Sequence, residues 1–273
     1  MAHPAAVLAG LAALSLAPIA VSGPRAAHAG PPFSVTGFIA REGNGYVLDE
    51  GALDAFLVEA LGAVRPRHRG TGDTVGPAGL ELTLGLGWAP VSPRSSAWRG
   101  ATDDPPGALT PLLFGVRKGI ATSIELGAQL GWSSELEVAS PALELRWSFI
   151  EGQPGLPDLG LRLDVGALVG NPDVTVVHGG VDLVIGKSLP IQGLFTLGPY
   201  GGYAFRFGRT IERQIAWFEG DESDPAQTLL PGQNLFLHHA LIGLRIEAKP
   251  LLVVIEAQLG TSSGVEVALG AAF

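Results

Sequence analysis

The sequence predicts an all-β fold, an antiparallel up-and-down transmembrane β-barrel of about ten strands with one N-terminal amphipathic helix. Three observations carry this expectation. From Leu80 to the end, apolar residues recur with period two, the spacing that puts one set of side chains on one face of a strand. Most of the segments with that period run to roughly 10–14 residues, about twice the usual soluble strand. The composition is 47% hydrophobic and only 16% charged, with 39 glycines in 273 residues, which excludes a disordered chain. Eight or twelve strands are the alternatives to ten.

Charge and cysteine content narrow the function classes. A formal net charge of −9 lacks the basic footprint of a nucleic-acid binder. With no cysteine the chain has no disulfide, no thiolate metal site and no Cys nucleophile.

In chain order, residues 1–29 read as a secretory signal peptide. A small-apolar run spans 5–21, and Ala27-His28-Ala29 supplies the small residues of a cleavage site. An uncleaved membrane anchor is the alternative. Residues 30–79 form a separate N-terminal segment, expected in the periplasm. Within it Leu53, Phe56, Leu57, Ala60, Leu61 and Val64 recur at helical spacing, so a helix is expected over 49–64. Asp49 is its N-cap, Glu50 and Asp54 lie near the positive end of the dipole, and Pro66 stops the run. That helix is expected to cap the periplasmic mouth of the barrel or enter it. A Gly-rich link, 70–79, leads into the barrel domain, 80–273. No stretch of this domain is apolar enough to span a bilayer as a helix.

Ten strands are expected at 80–91, 109–118, 120–132, 139–150, 158–170, 174–187, 194–207, 235–248, 251–260 and 262–273. In the first, Leu80, Leu82, Leu84, Leu86 and Trp88 share one face, opposite Glu81, Thr83, Gly85 and Gly87. In the fifth, Leu159, Leu161, Leu163, Val165, Ala167 and Val169 oppose Asp158, Gly160, Arg162, Asp164 and Gly166. The two faces are equally regular, so periodicity by itself does not say which one points inward. Three features select the lipid-facing arrangement. If Phe273 ends on the periplasmic side, the links at 119, 151–157, 188–193 and 249–250 fall there and are all short. The opposite end takes 92–108, 133–138, 171–173, 208–234 and 261, including both long links, the asymmetry of membrane barrels. Trp88, Trp132, Phe205 and Phe236 stand near one rim, and Trp147, Phe149, Phe195 and Phe273 near the other. The remaining face is rich in glycine and in charges of both signs, which suits a narrow lumen.

At the C-terminus, Val265, Val267, Leu269, Ala271 and Phe273 alternate with small or charged residues. This pattern resembles the assembly signal of Gram-negative outer-membrane β-barrel proteins, and the resemblance extends from Leu80 to Phe273. Within that family the chain is most similar to small uncharacterised barrels. The resemblance implies residence in the bacterial outer membrane, contact with its lipid and lipopolysaccharide, escort by periplasmic chaperones and insertion by the barrel-assembly machinery. The helix at 49–64 is not part of the family pattern.

The inward face is expected to carry Glu81, Glu125, Glu144, Arg146, Arg162, Asp164, Asp182, Arg206, Arg245, Glu247, Glu256 and Glu266, eight acids and four arginines. A lattice of ion pairs filling a narrow lumen is preferred, because small barrels are packed solid and arginine pairs two carboxylates at once. A narrow cation-favouring pore is the alternative. His178 and His239 also point inward. His238 points away from His239, so the two do not share a metal. His239 and the acidic run 219–224 offer the only candidate for rim hydrolysis, and that run lacks the spacing of a calcium loop. No cofactor motif is present, and an enzyme is not expected. The function expected is a structural envelope element or narrow passive pore. The alternative is a surface binding protein or adhesin using 92–108 and 208–234.

Overall fold

The computed structural model describes residues 33–42, 45–217 and 226–273. The signal peptide expected at 1–29 and the acidic run 219–224 lie outside the described residues.

The helix, α1, spans Glu50–Val64, with the Asp49 carboxylate accepting from the Ala52 amide at 2.9 Å. It ends where the sequence requires. Arg65, preceding Pro66, adopts extended φ/ψ of −62° and 158°, since a residue before proline is pushed out of the helical region.

Ten strands then close a barrel. They are β1 Leu80–Pro90, β2 Leu112–Ala121, β3 Ile124–Ser133, β4 Val138–Ile150, β5 Asp158–Leu168, β6 Val176–Gly186, β7 Phe195–Thr210, β8 Asn234–Ala248, β9 Leu251–Gly260 and β10 Gly264–Ala272. Each is antiparallel to its neighbours in sequence, and β10 returns to β1 with Leu269 opposite Leu84, which seals the ring. Closure leaves no unpaired edge, the condition for a sheet to stand in hydrocarbon. Short additional strands decorate the rims. Ile39–Glu42 pairs with Gly45–Leu48, and Arg213–Trp217 pairs with Ala226–Leu230 in the longest link. A second helix, α2, Ser96–Ala101, lies in the link after β1, with the Ser95 hydroxyl as its N-cap.

Most strand limits agree with the sequence to within three residues. The second and third differ most: the sequence put their turn at Gly119, and the chain turns at 122–123. Gly119 sits inside β2 beside a register shift, and a Cβ there would collide with the carbonyl oxygen of Gly76. Its lack of a side chain answers a packing need and not a turn.

The apolar set faces outward. Leu84, Leu86, Leu143, Val165, Leu183, Ile242, Leu259 and Leu269 are all exposed. So are both aromatic sets, with Trp88, Trp132, Phe205 and Phe236 at one rim and Trp147, Phe149, Phe195 and Phe273 at the other. Inside, two zones follow one another along the axis. The middle is mostly polar and charged, with a smaller apolar cluster of Val184, Tyr200, Ala204, Leu241, Leu252, Val254 and Ala268 on the wall from β6 to β10. One mouth is closed by an apolar cap in which Phe33, Phe38, Leu53, Phe56, Leu57 and Trp98 are buried together. Phe56 packs at 4.9 Å from Phe33 and edge-on at 5.1 Å from Trp98, whose indole N–H donates to Glu59 at 2.6 Å. α1 buries Leu53, Phe56, Leu57, Ala60 and Leu61 in this cap and its last turn entirely, and leaves Glu50, Gly51 and Ala55 exposed on its other face.

Candidate functional site

The lumen is the candidate site, and its occupant is the chain itself. From Val64 residues 65–75 run as an extended thread down the axis of the barrel. At the capped mouth Gly62 lies against Ser262, in the link between β9 and β10. At the other mouth the Thr74 amide donates to Glu151 at 2.9 Å and its hydroxyl to the Thr122 carbonyl at 2.9 Å, both groups in or beside turns. Leu80 and Phe273 exchange backbone hydrogen bonds at this same mouth. The expectation that the helix caps the mouth bearing Phe273 is therefore corrected: it caps the opposite one. Residues 70–75 of the Gly-rich link 70–79 form the lower part of the thread.

The thread alternates like a strand, with period two. Arg65, Arg67 and Arg69 face β9, β10 and β1, and His68 faces β6 and β7. Arg65 and Arg67 both donate to the Gln258 side chain. The Arg69 guanidinium pairs with Glu266 at 2.5 Å and donates to Thr83 at 2.7 Å. Arg69 takes a left-handed φ of +56°, unusual for a residue with a side chain. In that conformation its amide donates to Glu256 at 2.9 Å. On the other wall the His68 Nδ1 stands 3.8 Å from Asp182.

An extended chain with no neighbouring strand has backbone groups to satisfy, and buried ones left unpaired are costly. Here wall side chains take the role of a ladder. Arg162 donates to the carbonyls of Arg67 at 2.5 Å and Pro66 at 3.2 Å, and Arg206 donates to Pro66 at 3.2 Å. The Gln129 amide group bonds Arg67 on both sides, accepting from its N–H at 2.9 Å and donating to its carbonyl at 2.8 Å.

Every acid and arginine assigned to the inward face lies on it. Glu81 pairs with Arg117 at 2.5 Å and Arg245 at 2.6 Å, and Glu125 with Arg117 at 3.2 Å. Glu144 is held by Arg162 at 3.2 Å and Arg146 at 3.3 Å. Asp182 is shared by Arg162 at 2.5 Å and Arg206 at 3.3 Å, and Asp164 pairs with Arg206 at 2.5 Å. Glu256 accepts from the Tyr200 hydroxyl at 2.9 Å, and Glu247 pairs with Arg245 near the rim at 2.7 Å. Four arginines escaped the sequence reading: Arg117, Arg65, Arg67 and Arg69. They bring the arginines of the lattice level with its eight acids, which cancels the acidity on which a cation-favouring pore rested. Arg117 was legible, standing on the Gly115 face of β2. The thread left a weaker signal in the alternation Arg65-Pro66-Arg67-His68-Arg69, a charged strand with no apolar partner face.

The histidines bond within the interior. His178 Nε2 is 2.9 Å from the Ser140 hydroxyl, and His239 Nε2 is 3.0 Å from that of Ser262. Among the described residues no group of three or more His, Asp or Glu side chains is placed to hold a metal. A recess of about 230 Å³ opens at the Phe273 mouth, lined by Asp73, Thr74, Arg117, Arg245, Glu247 and Lys249 among others. Val265, Val267, Leu269 and Phe273 point outward into the apolar belt.

Charges are packed inside and apolar residues stand outside, the reverse of a soluble barrel. The fold is that of a small outer-membrane β-barrel. No family model and no curated protein sequence matches the chain. Among solved structures it is similar to the beta domain of the Bordetella autotransporter Brka, at 10% identity over 72% of this chain and 100% of that one, with a TM-score of 0.36. A Rhodopseudomonas blastica porin matches at 9% identity over 71% of this chain and 99% of the porin, with a TM-score of 0.17. Likenesses this remote add nothing to what the barrel's own geometry says.

Proposed function

We propose that this protein is a bacterial outer-membrane barrel with a filled lumen, a structural element of the envelope and not an open pore. The belt supports the membrane setting. A contiguous apolar surface far beyond a few hundred Å² is untenable in water. Each such side chain gains on the order of 1 kcal/mol or more on burial in lipid, tens of kcal/mol for the ring. Lipid and, in the outer leaflet, lipopolysaccharide are then its partners, and periplasmic chaperones and the assembly machinery deliver it. Link lengths support one orientation. The mouth with Leu80 and Phe273 has compact turns at 122–123, 151–157, 187–194 and 249–250, and the capped mouth carries the long links 91–111 and 211–233. Short turns face the periplasm in such barrels and long loops face outside.

The observation that carries the closed-lumen reading is the thread, hydrogen-bonded to the wall from the Gln258 level to the Glu151 level. The test is planar-bilayer recording on the full chain refolded in detergent. The expected result is a flat baseline, with conductance steps only in a variant lacking residues 30–78. Reproducible steps from the intact protein would overturn the closed-lumen reading.

A further inference from the structure

Leu80 begins β1 at one mouth of the barrel, bonded to Phe273. The described residues before Arg65, 33–42 and 45–64, lie at the other mouth. There the Val64 carbonyl lies against Gly131, Gly62 lies against Ser262, and Asn171, in the link after β5, donates to the Phe33 carbonyl at 2.8 Å. Between these ends the backbone has no route except the lumen. We infer that the chain crosses the membrane an eleventh time, through its own barrel, and so displays the segment from Phe33 to Val64 on the cell surface. This rests on the orientation proposed above and goes beyond it, because it assigns the barrel the export of its own N-terminal segment.

The wall is cut to fit that passage. A Cβ on Gly160 would stand 2.6 Å from the Gly72 carbonyl oxygen, and one on Gly186 would stand 2.5 Å from that of Thr71. One on Gly198 would stand 2.5 Å from the Thr71 methyl group. Cβ atoms on Gly131 and Gly119 would collide with the carbonyls of Val64 and Gly76. Five strands thus place a glycine where the thread's main chain or small side chains pass, and most of the obstructing atoms are backbone that cannot swing aside. A lumen made to stay empty, or to admit a loosely held plug, has no use for this match. The apolar cap then holds the far end: Phe33, Phe56 and Trp98 bury one another, so withdrawing the thread would expose all three.

Labelling of intact cells tests the inference, and the absence of cysteine makes single-cysteine variants unambiguous. Gly51→Cys lies at an exposed position in the first turn of α1, with nothing nearer than Asp49 Oδ1 at 3.7 Å. Gly107→Cys, in the long link after β1, has open space around it, and Gln153→Cys is exposed in a turn at the Phe273 mouth. A membrane-impermeant maleimide applied to intact cells is expected to label Gly51→Cys as fully as Gly107→Cys. Gln153→Cys should react only after the outer membrane is permeabilised. Labelling of Gly107→Cys without Gly51→Cys would overturn the eleventh crossing and leave the orientation standing. Labelling of Gln153→Cys alone, or of none of the three before permeabilisation, would overturn the underlying orientation or membrane placement.

Discussion

Replacing Arg162 by methionine removes the hub of the lumen. Its guanidinium is fully buried, paired with Asp182 at 2.5 Å, Glu144 at 3.2 Å and Asp164 at 3.5 Å. It also donates to the thread carbonyls of Arg67 and Pro66. Deleting one partner of a buried ion pair costs about 3–5 kcal/mol, because the charge left behind has lost its solvent and its counter-ion. At about 1.4 kcal/mol per decade this is two to three and a half orders of magnitude in the folding constant. Asp182 retains Arg206 at 3.3 Å, so the loss should fall toward the lower end. Adding Asp182→Asn neutralises the abandoned charge and is expected to restore at least half of the loss, while Arg206 keeps Asp164 at 2.5 Å. The assay is a reversible urea titration of protein inserted in phospholipid vesicles, followed by tryptophan fluorescence and by gel mobility of unboiled samples. A single variant within about 1 kcal/mol of wild type would show that water in the lumen solvates these carboxylates. A double variant no better than the single would refute the ion-pair account.

Two further outcomes follow from the outer face and the rim. Leu269→Arg, on the lipid-facing side of the β1–β10 seam opposite Leu84, should lower stability in vesicles by about 2–4 kcal/mol, the cost of arginine near a bilayer midplane. The same loss in detergent micelles without any loss in vesicles would contradict the lipid-facing assignment. At the capped rim, burial pushes the Glu135 carboxyl up. Hydrogen bonds from the hydroxyls of Thr110 and Ser133 and from the amides of Glu135 and Thr110 outweigh it and hold the group below its ordinary value. A depressed carboxylate contributes stability above its unfolded pKa and loses it as pH falls through the folded one. Glu135→Gln should therefore weaken protease resistance of the 91–111 link at neutral pH, and the difference from wild type should vanish in acid; a difference that persists in acid would exclude the carboxylate as its source.

The residues by themselves determined the barrel, for a physical reason. Period-two alternation is a local property, written into Leu82-Thr83-Leu84-Gly85-Leu86 and legible without any partner strand. Strand length, turn spacing and the paired aromatic rims followed from the same local pattern, and parity alone placed Glu144, Arg162, Asp164 and Asp182 on one face. α1 was equally legible from its apolar spacing, the Asp49 cap and the Pro66 stop. Tertiary structure decided where these pieces meet. Beyond the charged alternation Arg65-Pro66-Arg67-His68-Arg69, nothing in 65–75 announces a buried thread, because its backbone partners are the side chains of Gln129, Arg162 and Arg206, distant in sequence and recognisable only once the barrel closes. Nor could α1 reveal which mouth it caps, since Phe56 and Leu57 are satisfied by any apolar surface, and the choice depends on the thread carrying them past the lattice. The wall glycines show the difference most plainly. In the sequence Gly119, Gly160 and Gly186 are a turn signal or a small inward residue, and only the passing backbone of Thr71, Gly72 and Gly76 explains why no side chain fits there.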